Sequence, residues 1–487
     1  MTADPVTEEW RSPDGGDWWF EAAHFPRPVS LLFAVVLDQL AQGRVRGAGR
    51  WGLRRQGVRW QRINGYLYIG VRGEGAAGDE ALAAQAVAER RWRREAEQWF
   101  ADERPAAVAR NQALQAVAVE SLDDDELRAH AREVLDHVLA VGPLHFEHRG
   151  REVVFDLVRE RATAEGIDEA VVMDAMAGGS PASSWPAEVA RAIAEALRAG
   201  AIDPASVRTF DDVRAAPEAG RCLDAYLTEY GHRLVDSYDL LRPTLRERPE
   251  LVLGAIRAAA RDRATTPRPP LPALSAELAD LVADARTSYG IEDDDDGVCV
   301  FWPLGLLRRA LLEVGRRAGL EDPSDVFETD IDELRALLDG AGPASRVLAA
   351  RRAEREAARH RVPPASIGAE APWAPPASDA GDGQLKGQGV GAHVARGPAC
   401  VVRDENDGLD HLQPGDVLVA VTTTPGYNTV LPIVVAVATE TVMGHTIICA
   451  RELGIPAVVG VPGLLDAVAD GDVVEVDPVA GVVRIVG

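Results

Sequence analysis

One histidine near the carboxyl end of the chain stands where phosphoryl chemistry is favoured. His445 begins a run of helical character that extends to Leu453, and Gly454 and Pro456 end that run. The first turn of a helix has unpaired backbone N–H groups and the positive end of the helix dipole, so it favours both a bound phosphate and a neutral imidazole. These features suit a histidine that accepts and passes on a phosphoryl group.

The residues around His445 have types that suit this role. Gly444 removes side-chain bulk beside the imidazole, and Thr446 offers a hydroxyl donor to a phosphate. Arg451 lies about six residues along the helix, where it could either stabilise charge or brace the domain. The structural alternative for His445 itself is a helix cap or a packing residue, which is the ordinary role of a lone histidine near a helix start.

The segments that surround this helix read as short strands. Turn residues such as those at 414–416 and 470–472 separate the strand-like runs, which predicts a small α/β domain with mixed strands. The predicted strands are 399–403, 416–421, 434–437, 457–461, 473–476 and 482–486.

The chain before this domain has a different character. From about residue 30 to residue 362, Ala, Arg, Glu and Leu dominate, and apolar residues recur at three- and four-residue spacing, which predicts a mostly α-helical body. A strand candidate at 66–71 is in the minority. The clearest predicted helices are 80–100, 122–138, 186–199, 331–338 and 345–360.

We therefore predict a multidomain chain. The mostly α-helical body spans 1–362, and the small α/β domain, with a β/β/α layering, spans 386–487. Between them, residues 363–385 are rich in Pro, Ala and Gly, which predicts a flexible linker between parts that move relative to each other.

Composition narrows the classes of function. The formal net charge of the 487 residues is −25, which repels nucleic acid and anionic membrane, so neither is expected as a partner. The four cysteines show neither metal-ligand spacing nor a disulfide framework, and the amino terminus lacks a signal-peptide pattern. No apolar run approaches the roughly 20 residues of a membrane span. We expect a cytoplasmic protein with reduced thiols.

The segment around His445 resembles the phosphohistidine signature of the PEP-utilising enzymes. Residues 450–460 match the end of that signature, and further ordered matches flank it at 414–419, 422–425, 470–472 and 476–477. The sequence departs from the family at Gly444, where Ser or Thr is usual, and at Glu440 and Thr441, where the family has paired glycines.

The resemblance implies a swivelling phosphohistidine domain at 386–487. It makes His445 the catalytic residue, and it makes Gly444, Thr446 and Arg451 the phosphate-binding support. No metal ligand is expected in this chain.

The helical body more weakly resembles the rifampicin phosphotransferase and phenylphosphate synthase branch of that family. In that branch the helical domain binds the acceptor, so His24, His145, His232 and Arg233 are candidate acceptor-binding residues. Each has a structural alternative as a loop, surface or core residue. The motifs that carry the resemblance are 18–28, 179–184, 230–233, 242–249, 307–317 and 322–334.

The acidic run at 292–296 allows two interpretations. Its carboxylates could bind Mg²⁺, but a solvated acidic loop is the favoured interpretation. The chain shows neither a Gly-rich P-loop nor a region that resembles the ATP-grasp domain or the PEP-binding barrel of full-length relatives. It therefore resembles a stand-alone subunit, as in phenylphosphate synthase.

The resemblance implies a dikinase-type phosphotransferase. A separate ATP-grasp partner, which would bind most of the ATP and Mg²⁺, would phosphorylate His445. The domain would then swing to the body and pass the phosphoryl group to a hydroxyl of a small molecule. Many Trp residues and few basic clusters favour an apolar or aromatic acceptor. Two alternatives stay open: a dehydratase driven by phosphorylation, and a non-catalytic binding protein with a degenerate swivelling domain.

Overall fold

A computed structural model describes most of the chain. The described residues are 10–176, 180–260, 273–368, 385–403, 409, 412–441 and 444–486. They form a large helical body followed by a small α/β domain, which confirms the predicted multidomain architecture. No helix in these ranges combines the length and the apolar character needed to cross a membrane.

Helices make up most of the body, and local capping explains several of their starts. The Asp123 carboxylate accepts a hydrogen bond from the backbone N–H of Glu126, and the Glu126 carboxylate accepts one from the backbone N–H of Asp123. The predicted helix at 80–100 is divided, because Arg90 adopts a left-handed conformation between two helices. The helices are α1 Leu31–Leu40, α2 Gly43–Arg50, α3 Glu80–Ala88, α4 Arg91–Gln98, α5 Arg104–Gln115, α6 Asp124–Val141, α7 Pro143–Glu147, α8 Gly150–Ala164, α9 Glu169–Met176, α10 Pro181–Ala199, α11 Phe210–Arg214, α12 Pro217–Glu229, α13 Pro249–Ala259, α14 Ala276–Asp295, α15 Trp302–Arg317, α16 Ile331–Leu338 and α17 Ser345–Ala358.

A four-stranded sheet packs beside these helices. Its strands are β1 Trp18–Phe20, β2 Arg55–Ile63, β3 Tyr66–Ala76 and β4 Ser366–Ile367, in the order β2-β3-β1-β4. The strand candidate at 66–71 is thus confirmed. Strand β4 lies within the predicted linker and pairs with β1, so the body holds the chain beyond residue 362. Most of that predicted linker, 369–384, lies outside the described residues.

The α/β domain is built on a sheet whose central strands are parallel. Strands β7 to β10 follow one another in parallel, and antiparallel strands extend the sheet at both ends. The predicted strands and the predicted helix are present within a few residues. The elements are β5 Leu385–Lys386, β6 Gln388–Val390, β7 Ala395–Val402, β8 Val417–Ala420, β9 Ala436–Thr439, α18 Gly444–Leu453, β10 Ala457–Val459, α19 Leu464–Ala467, β11 Val473–Asp477 and β12 Val482–Ile485.

The two domains pack against each other through a shared apolar core. Leu223 and Ile256 of the body belong to the same buried cluster as Ile433 and Ile447 of the α/β domain. Gly254 of α13 contacts the side chain of Ile433, and the hydroxyls of Tyr226 and Thr429 are 2.8 Å apart within this interface. The structure therefore shows the α/β domain docked on the helical body.

The interpretation of 292–296 as a solvated loop is wrong. The run lies at the end of α14 and the start of a π-helix, Asp296–Phe301, and its four aspartates are each at most 8 % exposed. Burial is tolerated because donors from distant parts of the body reach these carboxylates. Those donors are Ser180 and Ser183 for Asp293, Trp99 and Arg104 for Asp294, His145 and His148 for Asp295, and Tyr238 for Asp296.

Candidate active site at the domain interface

His445 lies at the carboxyl edge of the parallel strands of the α/β domain. Strand β8 ends at Ala420 and β9 ends at Thr439, so the segments that follow them meet at one edge. The backbone N–H of Thr441 donates to the carbonyl of Val421 at 3.0 Å and joins these segments. His445 is the second residue of α18, where unpaired backbone N–H groups favour a phosphate. The side chains of Gly444 and His445 lie outside the part of the structure that is described.

The predicted support residues occupy different parts of α18. Thr446 is only 1 % exposed, and its Oγ1 lies 2.7 Å from Oγ1 of Thr423, which ties the first turn of α18 to the segment after β8. Arg451 is in the last turn, about 9 Å along the axis and roughly 120° around it from position 445. That placement favours a bracing role for Arg451, whereas Thr446 lies directly beside the reactive position.

The carboxylate that replaces a family glycine has a partner of its own. Oε1 of Glu440 accepts a hydrogen bond of 3.0 Å from the backbone N–H of Leu465, in the first turn of α19. Burial raises the pKa of Glu440, and this hydrogen bond partly offsets the effect. Glu440 thus caps a neighbouring helix.

One face of α18 is turned toward the helical body. Oε1 of Glu452 accepts a hydrogen bond of 3.1 Å from the backbone N–H of Ser180, at the start of α10. Cys449 is fully buried and hydrogen-bonds with Ser183 of the same helix start. Residues at spacings of four and seven share a helix face, so position 445 lies on the face that carries Cys449 and Glu452.

The body presents a connected chain of carboxylates and imidazoles beside this interface. Nδ1 of His145 is 2.7 Å from Oδ1 of Asp295, and Nδ1 of His148 hydrogen-bonds Oδ2 of the same carboxylate. Nε2 of His148 is 3.1 Å from Oε2 of Glu103. At the other end, Nε2 of His145 is 3.9 Å from Oδ1 of Asp296. We call these five residues the acid–histidine chain.

Two features distinguish Asp296 within the acid–histidine chain. Oδ2 accepts a hydrogen bond of 2.7 Å from the hydroxyl of Tyr238. Oδ1 is buried and has no hydrogen-bond partner among the residues that the structure describes. A buried carboxylate oxygen without a donor is unfavourable unless a ligand or water supplies one, so this oxygen is available to a donor from a bound ligand or water.

Burial and pairing set the protonation of the chain. Burial raises the pKa of Asp296 to about 6, with His145 and Tyr238 opposing the rise. Burial alone would lower the pKa of His148, but its hydrogen bonds to Asp295 and Glu103 raise it to about 10. Burial alone would raise the pKa of Asp295, but the two imidazoles lower it. At neutral pH the acid–histidine chain therefore has a charged pair, His148 and Asp295, at its centre. The carboxylate of Asp296, at one end, has a pKa close to neutral pH.

Both ends of the acid–histidine chain are carried by π-helices. Glu103 ends the π-helix Trp99–Glu103, and Asp296 begins the π-helix Asp296–Phe301. Short π-helices interrupt ordinary α-helical packing and occur frequently at functional sites. The second π-helix also contacts the 3₁₀ helix Pro425–Thr429 of the α/β domain, so the docked domain covers the segment that begins at Asp296.

The structure brings together two of the four candidate acceptor-binding residues. His145 belongs to the acid–histidine chain. The guanidinium of Arg233 stacks on Tyr230, 3.7 Å from the ring centroid, and lies against Gly297 of the second π-helix, where a Cβ would overlap it.

The other two candidates lie elsewhere. His24 lines a separate cleft between the body and the α/β domain, together with Arg27, Asp236 and Thr422. His232 lines a recess with Arg246 and Arg309, and burial lowers its pKa to about 3.

Sequence reasoning missed the roles of Asp295, Asp296, Glu103 and Tyr238. One signal was present, because His145 and His148 have the spacing that places two imidazoles on one side of a helical turn. Such a pair beside a buried acidic run is compatible with a shared carboxylate. The identity of that carboxylate depends on a contact across about 150 positions, which no local pattern indicates.

Comparisons with known proteins identify the families that parts of the chain resemble. The mobile domain of PEP-utilising enzymes matches residues 412–481, and the rifampicin phosphotransferase fourth domain matches residues 187–288. The first match contains His445. The second contains α12 and much of α14, which leads into the acidic run. Both matches confirm the predicted resemblance to the PEP-utilising enzymes.

Individual relatives are similar over parts of the chain. An uncharacterized protein of Mycobacterium tuberculosis is 34 % identical over 284 residues, which are 56 % of this chain and 32 % of that protein. A rifampicin phosphotransferase of a Streptomyces species is 26 % identical over 320 residues, 59 % of this chain and 37 % of the relative. The uncharacterized phosphotransferase YvkC of Bacillus subtilis is 35 % identical over 107 residues, 22 % of this chain and 13 % of the relative. The chain thus spans about a third of the length of the first of these relatives.

Proposed function

Because the chain carries the mobile domain of the PEP-utilising enzymes and the fourth domain of rifampicin phosphotransferase, we propose that it is a phosphotransferase that works through a phosphohistidine. His445 receives a phosphoryl group that originates from ATP and passes it to a hydroxyl of a small apolar or aromatic acceptor. A covalent intermediate divides one difficult transfer into two easier ones.

The position of α18 carries this proposal. Its first turn offers backbone N–H groups to a phosphate, and its Cys449 and Glu452 face is docked on the body beside the acid–histidine chain. Phosphoryl transfer depends mainly on positioning and charge stabilisation, and a docked helix start supplies both. The capping role of Glu440 leaves this helix start free of an opposing carboxylate oxygen at Oε1, which supports a catalytic over a degenerate domain.

We propose that the donor half of the reaction takes place on a separate ATP-grasp protein, which binds most of the ATP and Mg²⁺. Among the described residues, no group of three or more His, Cys, Asp or Glu side chains is arranged as a metal site. The residues of this chain position the phosphoryl group and take up the proton of the acceptor.

The product that forms after the acceptor receives the phosphoryl group distinguishes a kinase from a dehydratase. A kinase releases a stable phosphate ester, whereas a dehydratase releases an alkene and free phosphate. The name of one relative, a rifampicin phosphotransferase, favours the ester. Product analysis by ³¹P NMR after one turnover distinguishes the two, because ester and free phosphate have separate signals.

The carrier role is tested with labelled ATP. The full chain is incubated with a candidate ATP-grasp protein, Mg²⁺ and ATP labelled at either the β- or the γ-phosphate. We expect acid-labile, alkali-stable label on the wild type and none on His445→Ala. His393→Ala, a histidine change in the same domain, is the matched control and retains the label. An unlabelled wild type, with an ATP-grasp protein that phosphorylates another mobile domain, contradicts the proposal.

A further inference from the structure

Phosphoryl transfer to a hydroxyl from a phosphohistidine whose second ring nitrogen is protonated leaves a neutral imidazole and releases the proton of the hydroxyl, and the acid–histidine chain offers a place for that proton. Resting on the proposed function, we propose that Oδ1 of Asp296 is the base that takes the acceptor's proton, and that the acid–histidine chain conducts this proton to Glu103 at the protein surface.

The geometry around Oδ1 of Asp296 fits a hydroxyl group. This oxygen and Nε2 of His145 are 3.9 Å apart, too far for a direct hydrogen bond. An oxygen atom placed between them can lie about 2.8 Å from both, which is an ordinary hydrogen-bond length. Tyr238 holds the opposite carboxylate oxygen, so the orientation of Asp296 is fixed before the acceptor arrives.

The reaction at this site balances as a single transfer. The O–H bond of the acceptor breaks, and its proton goes to Oδ1 of Asp296. The phosphohistidine reacts with its second ring nitrogen protonated. The acceptor oxygen forms a bond to phosphorus, the bond between phosphorus and the other imidazole nitrogen of His445 breaks, and that nitrogen keeps the electron pair, so the imidazole leaves as a neutral group. A base in this position contributes roughly 100- to 10,000-fold to the rate of such a step.

The other four members of the chain form a path to solvent. His145 passes its Nδ1 proton to Asp295 and takes up the proton of Asp296 at Nε2. His148 connects Asp295 to Glu103 through its two ring nitrogens. The side chain of Glu103 is 18 % exposed, whereas that of Asp295 is fully buried, so the path runs from the covered interior to water.

Docking explains why such a path is needed. The π-helix that begins at Asp296 contacts Pro425–Thr429 of the α/β domain, so the docked domain covers part of this segment and restricts the approach of bulk water to it. Exclusion of water protects a phosphohistidine from hydrolysis but also removes the usual acceptor for a proton. A chain of alternating carboxylates and imidazoles meets both requirements, because it carries the proton away without admitting water.

The test uses the full chain after chemical phosphorylation with potassium phosphoramidate, which modifies histidines without a partner protein. ³¹P NMR follows the loss of the phosphohistidine signal that is absent from His445→Ala. The acceptor probes are phenol and, in its absence, water. We expect Asp296→Asn to slow the loss to the acceptor at least 100-fold, with thermal unfolding checked on the same sample.

The pH profile separates a base from a structural residue. The titratable neighbours of Asp296 are Asp293, Asp295, His145 and Tyr238. In the wild type we expect the transfer rate to rise with pH through about 6, as Asp296 loses its proton, and this rise to be absent from Asp296→Asn. Glu103→Gln removes the carboxylate at the surface end of the acid–histidine chain, and we expect it to slow phosphoryl transfer about tenfold.

A neighbouring carboxylate provides the matched control. Asp294 is buried next to the chain but pairs with Arg104 and Trp99, so Asp294→Asn retains the wild-type pH profile. Equal transfer rates for the wild type and Asp296→Asn overturn the inference. The rates are compared with phenol as the acceptor if the protein phosphorylates phenol, and with water as the acceptor if it does not. His445 is phosphorylated in that outcome and the carrier role survives. A wild type without a His445 signal overturns the carrier role and this inference together.

Discussion

The α/β domain and the helical body differ in the charged side chains that they place at their interface. The α/β domain presents hydroxyls and backbone groups around position 445, and Glu440, the carboxylate nearest that turn in sequence, caps another helix. The body presents four consecutive buried aspartates with two histidines and an arginine. Buried ion pairs are favourable only with complete partners, and undocking would break any pair across the interface. Apart from Glu452, which accepts a hydrogen bond from the backbone of Ser180, the charged group nearest position 445 is satisfied inside the α/β domain. This arrangement suits a domain that docks in more than one place, as the proposed function requires.

The largest effect expected from this comparison is on the body. Asp295→Ala leaves His145 and His148 without their shared carboxylate, so the free energy of unfolding should fall by about 3–5 kcal/mol. Urea denaturation at pH 7 measures the change. The matched variant Asp332→Ala, at an exposed position of α16, should change stability by less than about 0.5 kcal/mol. A similar small loss at Asp295 would show that the chain is not a charged unit.

Stability should also depend on pH through His148. The folded-state pKa of about 10 exceeds the ordinary value of 6.5, so the stabilisation is complete below pH 6.5 and is lost as pH rises toward 10. We expect a loss on the order of 2 kcal/mol between pH 7 and pH 10. Urea midpoints across this range measure it. Glu103→Gln removes one partner and should flatten the slope, and an unchanged slope would assign the pH dependence to other groups.

The docked interface should respond more weakly. Tyr226→Phe removes a buried hydroxyl that lies 2.8 Å from Oγ1 of Thr429, which should weaken docking by about 1–2 kcal/mol. Energy transfer between one fluorophore on each domain reports the docked fraction. Thr228→Ala, on the same helix but exposed, is the control. A lower unfolding midpoint without a change in docking would place the effect inside the body.

The smallest effect concerns the departure from the family at residue 440. Glu440→Gln keeps an oxygen that accepts the hydrogen bond from Leu465, so stability should change by less than about 0.5 kcal/mol. Phosphorylation of His445 should stay within about twofold of the wild type, measured by acid-labile label. A large gain in phosphorylation would mean that the carboxylate opposes the phosphate and that the moving side is not free of charge conflict.

The sequence predicted the α/β domain far better than the buried network of the helical body. Local signals determine α18: a helix that begins near His445 and ends before Gly454 and Pro456, with strands before and after it. Burial of the acidic run depends instead on Ser180, Trp99 and His145, which are distant in sequence. A run of aspartates has the same local pattern in a solvated loop and in a buried network, so only the tertiary contacts separate the two.

The short strand β4 sets a limit on travel. Ser366 and Ile367 are paired with β1, so the body holds the chain as far as the next residue, Gly368. Seventeen Cα–Cα steps separate Gly368 from Leu385 of the α/β domain. A fully extended chain covers at most about 3.6 Å per residue, so Leu385 can never be more than about 60 Å from Gly368. Any nucleotide site that phosphorylates His445 must therefore fall within this radius extended by the distance from Leu385 to His445 inside the α/β domain. A two-residue strand thus limits where the donor site can lie.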